Sequence, residues 1–293
     1  MNYYNEIKKE LVDNEINKRV KDYTKNRYEL QKYYNVGKLL LEAGNNYGEG
    51  IIKEYAVRLT KELGKKYSTR YLFDIRKLYI FSKVHPLGAQ LTMSHYRLLF
   101  PLKNNQEIDY YINQVIQRNL GKRELESIIK SNEYQRLPEE TKIKLSTIQK
   151  TGVKDLVKSP ILIKNKNNHE IIFEKALQKL ILEDIESFMK ELGNSFSFIG
   201  SEYKIKLGDA YNYIDLLLFN IEYNCYVVVE LKVTELKKEH IGQIQVYMNY
   251  IDENLRKITQ DKTIGIIICR QDNKYVIKYC SDERIIAREY LLV

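Results

Sequence analysis

Near residue 170 the chain changes the period at which its apolar residues return, which limits it to a helical first half followed by a sheet-containing second half. Residues 51–63 (IIKEYAVRLTKEL) are apolar at 52, 55, 56, 59 and 63, a helical period, and Gly64 follows as a stop signal. Ser68 can cap a second helix over 69–83, with Leu72, Ile75, Leu78 and Tyr79 on its inner face. Further helices are expected at 5–43, 93–100, 105–118 and 121–134. In the second half a helix over 172–192 ends at Gly193. Strands are expected at 196–207, 211–219 and 225–232, then a helix over 237–257 and strands at 263–269 and 274–280. The run TIGIIIC is apolar on both faces and belongs in the middle of a sheet. The fold class is therefore α followed by α/β: an all-helical N-terminal domain at 1–150 and an α/β sandwich around a mixed sheet at 151–293, with a polar, proline-containing linker at about 135–170.

Charge divides the same way. Residues 1–150 hold 28 Lys and Arg against 18 Asp and Glu, whereas residues 151–293 hold 20 against 21, so the net +9 of the chain arises entirely in the helical half. A genome rich in Lys codons would load both halves equally. A local excess of this kind serves a polyanion. Helix, short Gly-containing turn and basic helix over 51–83 is the outline of a helix-turn-helix, with Lys65, Lys66, Arg70, Arg76 and Lys77, and Arg97 from the MSHYRLL segment, as candidate DNA-binding residues. An ordinary helical hairpin with a solvated basic face is the competing reading. His95 is expected to be structural. The three cysteines (Cys225, Cys269, Cys280) lack metal-ligand spacing and fit a reducing, cytoplasmic setting. No apolar run approaches the roughly 18 residues needed to span a bilayer, so no membrane association is expected.

The informative stretch is 213–232, YIDLLLFNIEYNCYVVVELK: two β-forming runs that each carry a carboxylate. With a four-residue turn between 220 and 225, antiparallel partners sum to 445, which sets Asp215 opposite Glu230. Directly opposed residues have Cβ atoms about 4.5–5.5 Å apart. Two carboxylates so close repel each other unless a cation lies between them. Alternation puts Lys232 on the Glu230 face. Oxygen ligands suit Mg²⁺ or Mn²⁺, and a lysine ammonium beside the ion can orient an attacking water and stabilise charge on a phosphodiester in transition. The competing reading is a surface Glu230–Lys232 ion pair with Asp215 exposed.

Asp215, the fourteen-residue gap and Glu230-Leu231-Lys232 resemble the (P)D…(D/E)xK signature of the PDDEXK nuclease superfamily, although no proline precedes Asp215. Gln243 and Tyr247 match its QxxxY element. YIDLLLFN, VVVELK and HIGQIQVYMNYID are more closely similar to the nuclease domain of the bacterial YhcG-like proteins. The segment from YYNVGKLLL to FDIRKLY, with LTMSHYRLL, resembles the helical N-terminal domain of that family, so the likeness runs from about 30 to 280. It implies a restriction-endonuclease-like fold and a cytoplasmic, Mg²⁺- or Mn²⁺-dependent DNA endonuclease. Asp215, Glu230 and the Leu231 carbonyl would be metal ligands, Lys232 the catalytic lysine, and Gln243 a supporting catalytic residue. Glu174, in the helix before the first strand, stands where many members place a further acidic residue that reaches the metal. Glu202 departs from the glutamine common at its position and receives no role. Helix-turn-helix proteins read paired half-sites and a double-strand cut needs two centres, so a homodimer is expected. The alternative is a catalytically silent DNA-binding or interaction protein that keeps the nuclease fold as a platform.

Overall fold

The computed structural model describes residues 3–17, 25–64, 67–85, 91–147, 152–165, 173–193, 195–278 and 282–293. They form two compact units, Met1–Tyr134 and Gln135–Val293.

The first unit is all helical: α1 (Tyr3–Asn17), α2 (Lys25–Tyr47), α3 (Gly50–Leu63), α4 (Thr69–Ser82), α5 (Met93–Leu99), α6 (Asn105–Arg118) and α7 (Lys122–Lys130). Where one helix was expected over 5–43 there are two, α1 and α2; residues 18–24 lie outside the described residues. Gly64 ends α3 in the left-handed region (φ 62°), where a side chain would be strained. Ser68 opens α4 by accepting a hydrogen bond from the Tyr71 N–H at 3.1 Å. Ile7, Val36, Leu40, Ile52, Leu59, Leu72 and Ile75 join α1 to α4 in one core. Gly37 lets α2 approach α4, because a Cβ there would lie 2.5 Å from the Ile75 carbonyl oxygen. His95 is structural: it is buried, burial lowers its pKa, and its Nδ1 accepts from the Thr92 N–H at 3.1 Å to cap α5.

The second unit carries α8 (Glu139–Ser146), α9 (Val153–Leu156), β1 (Ile161–Ile163), α10 (Glu174–Glu183), α11 (Ile185–Leu192), β2 (Phe196–Leu207), β3 (Ala210–Asn220), β4 (Cys225–Glu235), α12 (Lys238–Asn254), β5 (Ile264–Gln271), α13 (Lys274–Lys278) and β6 (Ile285–Leu292). Its six-stranded sheet runs β1-β6-β5-β4-β3-β2. The β2–β3 and β3–β4 pairs are antiparallel; β4–β5, β5–β6 and β1–β6 are parallel, giving the mixed sheet expected. One face packs on α10 and α11 through Leu177, Ile181, Phe188, Leu216, Val229 and Leu231. The other packs on α12 through Leu217, Val228, Ile244, Met248 and Ile267. This is an α/β sandwich. β5 lies inside the sheet, as its two apolar faces require.

Three expectations need correction. The helix over 172–192 is broken, because Asp184 leaves helical backbone (φ −136°, ψ 54°) and its carboxylate caps α11 by accepting from the Ser187 N–H. The run KYVIKYC is not a strand. Asn273 Oδ1 accepts from the Tyr275 and Val276 N–H groups and winds 274–278 into α13, while residues 279–280 lie outside the described residues. The place beside β5 is taken by IIAREYLL of β6, which with β1 was not anticipated.

Candidate active site

The β3–β4 hairpin has the four-residue turn and the register expected of it, from Asn220–Cys225 to Leu216–Val229. The backbone ladder then stops one pair short of Asp215 and Glu230. In its place the Asp215 side chain bridges the strands, Oδ2 accepting the Leu231 N–H at 2.8 Å. The two strands thus fork at Asp215, and the expected head-on carboxylate pair becomes a carboxylate set into the fork.

Strand alternation turns Val229 and Leu231 into the α10–α11 core and Glu230 and Lys232 away from it. Both charged side chains are nonetheless buried, at 2% and 5% exposure. Charges that far from water persist only when paired. The Lys232 ammonium lies 3.0 Å from Glu230 Oε1 and 3.3 Å from Oε1 of Glu174, the first residue of α10. One turn further along α10, the buried Gln178 donates to the Asp215 carbonyl at 2.9 Å and fixes the backbone of the fork. Glu174 and Gln178 are four apart, on one helix face, which is the signal that could have singled Gln178 out.

The electrostatics follow from this geometry. Burial pushes the Glu230 carboxyl up to about 7, helped by the neighbouring Asp215 and opposed by Lys232. Burial also raises Asp215, against the Leu231 N–H and Lys232, with Glu174 and Glu202 adding to the rise. For Lys232 burial disfavours the ammonium, but Glu230 and Glu174 outweigh it and the pKa rises. Among the described residues, Glu230 Oε2 is buried with no hydrogen-bond partner. A carboxylate oxygen left in that state costs free energy that a bound cation would recover.

Two residues outside the expected set border the cluster. Tyr203–Ile214 and Ser201–Leu216 pairing leaves Glu202 abreast of Asp215, in left-handed backbone (φ 46°) that a non-glycine residue seldom adopts. Glu202 is held by Lys175 at 3.4 Å. His240, at the start of α12, accepts the Lys237 N–H on Nδ1 at 3.1 Å, so its neutral ring carries the proton on Nε2. Burial, then the Lys232 charge, lowers its pKa. Gln243 sits one turn on and donates to the Tyr247 hydroxyl at 3.1 Å. Among the described residues no three His, Cys, Asp or Glu side chains already converge on a point fit for a cation. Lys232 lies between Glu230 and Glu174 and holds both.

The candidate DNA-binding residues of the first unit differ in their surroundings. Arg70 and Lys77 are exposed on α4, Lys77 lying 5.2 Å from the Phe100 ring centre. Arg76 is bound to Glu49 at 2.6 Å and Arg97 to Asp74 at 2.8 Å. Lys65 and Lys66 lie outside the described residues.

An α/β unit whose forked central hairpin presents Asp, Glu and Lys beside an acidic helix terminus has the make-up of a PDDEXK nuclease domain, and residues 154–292 match the family described as YhcG PDDEXK nuclease domain. Residues 6–136 match the DUF1016 N-terminal domain. The two matches stand in this order along the chain, in keeping with the resemblance to the YhcG-like proteins that its motifs imply. The chain is 23% identical over 273 residues to "Putative nuclease YhcG" of Escherichia coli K12, covering 78% of this chain and 72% of that one. Two solved structures are also similar, a repair endonuclease from Pyrococcus abyssi (18% identity, TM-score 0.30) and an EndoMS complex with double-stranded DNA (19%, TM-score 0.31). Each match covers 43% of this chain, which spans about half the length of each of them (49% and 48%), and likenesses this low carry no argument about function. No helix among the described residues is long and apolar enough to cross a membrane.

Proposed function

We propose that the protein is a divalent-cation-dependent endonuclease that hydrolyses phosphodiester bonds in DNA and that its helical first unit brings it to the DNA. The observation that carries this reading is the buried Glu230, its Oε2 unpartnered among the described residues, beside Asp215 and Lys232. The donors fit a hard cation such as Mg²⁺ or Mn²⁺: Asp215, Glu230 and the Leu231 carbonyl would hold it, with Glu174 within reach of the same cluster. A strand residue points its N–H and C=O to the same side, so the Leu231 carbonyl is directed into the fork where its N–H meets Asp215. When bound, the cation polarises the scissile phosphate and offsets the charge that builds on it.

The protein's own groups then have separate tasks. The Lys232 ammonium orients the attacking water and stabilises the developing phosphate charge. Glu230, whose pKa burial raises to about 7, would hold the cation as its carboxylate, and binding would favour that ionised form. Gln178 keeps the fork rigid, and Gln243 supports the site from α12. Buried free thiols at Cys225 and Cys269 fit a cytoplasmic setting.

Cleavage of single- and double-stranded DNA and of RNA, with Mg²⁺, Mn²⁺ or EDTA, tests this reading. Cation-dependent cutting by the parent and none by Asp215→Asn is expected; a parent that cuts no nucleic acid with either cation would sink it. Light scattering of the same samples, with and without DNA, reads the proposed homodimer, and a strict monomer in both would exclude it. For the first unit, Arg70→Glu with Lys77→Glu should weaken DNA binding and flatten its salt dependence by about two units of slope, one per lost phosphate contact. Arg76 and Arg97 already have carboxylate partners and should matter less. An unchanged slope would mean that α4 is a solvated helix and not part of a helix-turn-helix reader.

A further inference from the structure

The end of the β2–β3 ribbon nearest its turn presents a surface that the chemistry above does not use. On β3, Tyr211 and Tyr213 come four and two residues before Asp215 and alternate with the buried Ile214, and both are exposed, at 57% and 53%. The register places Lys206 across from Tyr211 and Lys204 across from Tyr213, with Glu202 abreast of Asp215. Ile205 and Ile214, pointing the other way, belong to the core under α12, so the tyrosines and lysines lie on the α10 side of the sheet. The Lys204 ammonium sits 3.7 Å from the Tyr211 ring centre, which keeps a cation beside an aromatic face. Further along β2 lies a groove of about 520 Å³ between α10 and β2, walled by Ser201, by Glu202, which stands abreast of Asp215, and by Gln178, which holds the Asp215 carbonyl, with Phe173, Lys175 and Lys179 around it.

We propose that this ribbon is a track that leads an unpaired strand of nucleic acid to Asp215, its bases stacking on Tyr211 and Tyr213 and its phosphates meeting Lys204 and Lys206. The inference rests on the nuclease reading and narrows its substrate to nucleic acid with a single-stranded part. Alternating aromatic and cationic groups are the means by which single strands are held without regard to sequence, because every base has a face to stack and every phosphate a charge. Spacing decides against a continuous duplex. Residues two apart on a strand are about 6.8 Å apart, twice the roughly 3.4 Å rise between stacked bases of one duplex strand. Neighbouring bases can occupy both rings only after they have come apart. The first unit, with its excess of positive charge, remains available for duplex beside the unpaired part.

The test measures fluorescence anisotropy of the full chain in EDTA with a fluorescein-labelled oligothymidylate of about 16 nucleotides and with a duplex of equal length. Tyr211→Ala with Tyr213→Ala should weaken single-strand binding about tenfold or more while changing duplex binding by less than about twofold. Tyr211→Phe with Tyr213→Phe, which keeps the rings, should bind like the parent. Equal losses on both nucleic acids, or no loss on the single strand, would overturn the track. Both rings are exposed, so an unchanged melting temperature accompanies the expected result. The same proteins are then given Mg²⁺ and a substrate with a single-stranded arm. A parent that cuts, beside an alanine variant that binds and cuts as well as it does, removes the track and leaves the nuclease. A parent that never cuts but loses single-strand binding with its rings removes the nuclease and leaves the track.

Discussion

Lys232→Ala is expected to lower cleavage by about a hundredfold or more, close to 3 kcal/mol of transition-state stabilisation, while DNA affinity stays nearly that of the parent. The ammonium is buried against Glu230 and Glu174, so it contributes little to the surface that meets DNA and much to the charge balance where the phosphate reacts. An interaction realised mainly in the transition state affects kcat and leaves binding alone. Single-turnover cleavage at saturating protein, beside anisotropy in EDTA, separates the two. Because the substitution leaves two carboxylates facing each other without their cation, a melting curve in excess Mg²⁺ accompanies it as a check on folding. A folded Lys232→Ala protein that cuts as fast as the parent would remove the hairpin fork as the active site.

Glu230→Gln should change the pH dependence of stability in a way no surface carboxylate can. Burial raises the Glu230 pKa to about 7, above the ordinary value of 4.5 that the unfolded chain keeps. Between those values the folded protein holds a proton that the unfolded chain has released, so stability falls as pH rises through the window and stays lower above it. The loss belongs to the cation-free protein and amounts to about 3 kcal/mol at the rate of about 1.4 per pKa unit. Glutamine has no proton to lose. In EDTA, therefore, the stability of Glu230→Gln relative to the parent should rise by about that amount from pH 4.5 to 8, as read by urea unfolding at each pH. Mg²⁺ should reduce the gap at the alkaline end, where the carboxylate of the parent is ready to bind it. Parallel unfolding profiles for the two proteins would show that Glu230 ionises as an ordinary surface group, and the buried cluster would have to be abandoned.

Much of the architecture was legible in the sequence because it depends on neighbours along the chain. The apolar spacing of 51–63 and 69–83 and the stop and cap at Gly64 and Ser68 act within a turn or two of helix, and α3 and α4 form where they imply. The turn after Asn220 sets the hairpin register by counting alone. Misreadings occurred where a local pattern was overruled. KYVIKYC has strand composition, yet the side chain of Asn273 captures its backbone into a helical turn, and the sheet takes IIAREYLL instead. Asp184 breaks an otherwise continuous amphipathic run by capping the next helix.

At the site the division is similar. Sequence alone determined that Asp215, Glu230 and Lys232 lie on adjoining stretches of one hairpin, since strand period and turn length fix that much. Only the tertiary structure decided that the ladder stops at Asp215, that Glu174 and Gln178 arrive from α10, that Glu202 stands abreast in strained backbone, and that His240 approaches from α12. Those contacts join residues tens of positions apart. Their geometry is set by how the helices settle on the two faces of the sheet, and their charges by how far that packing excludes water; no spacing along the chain encodes either.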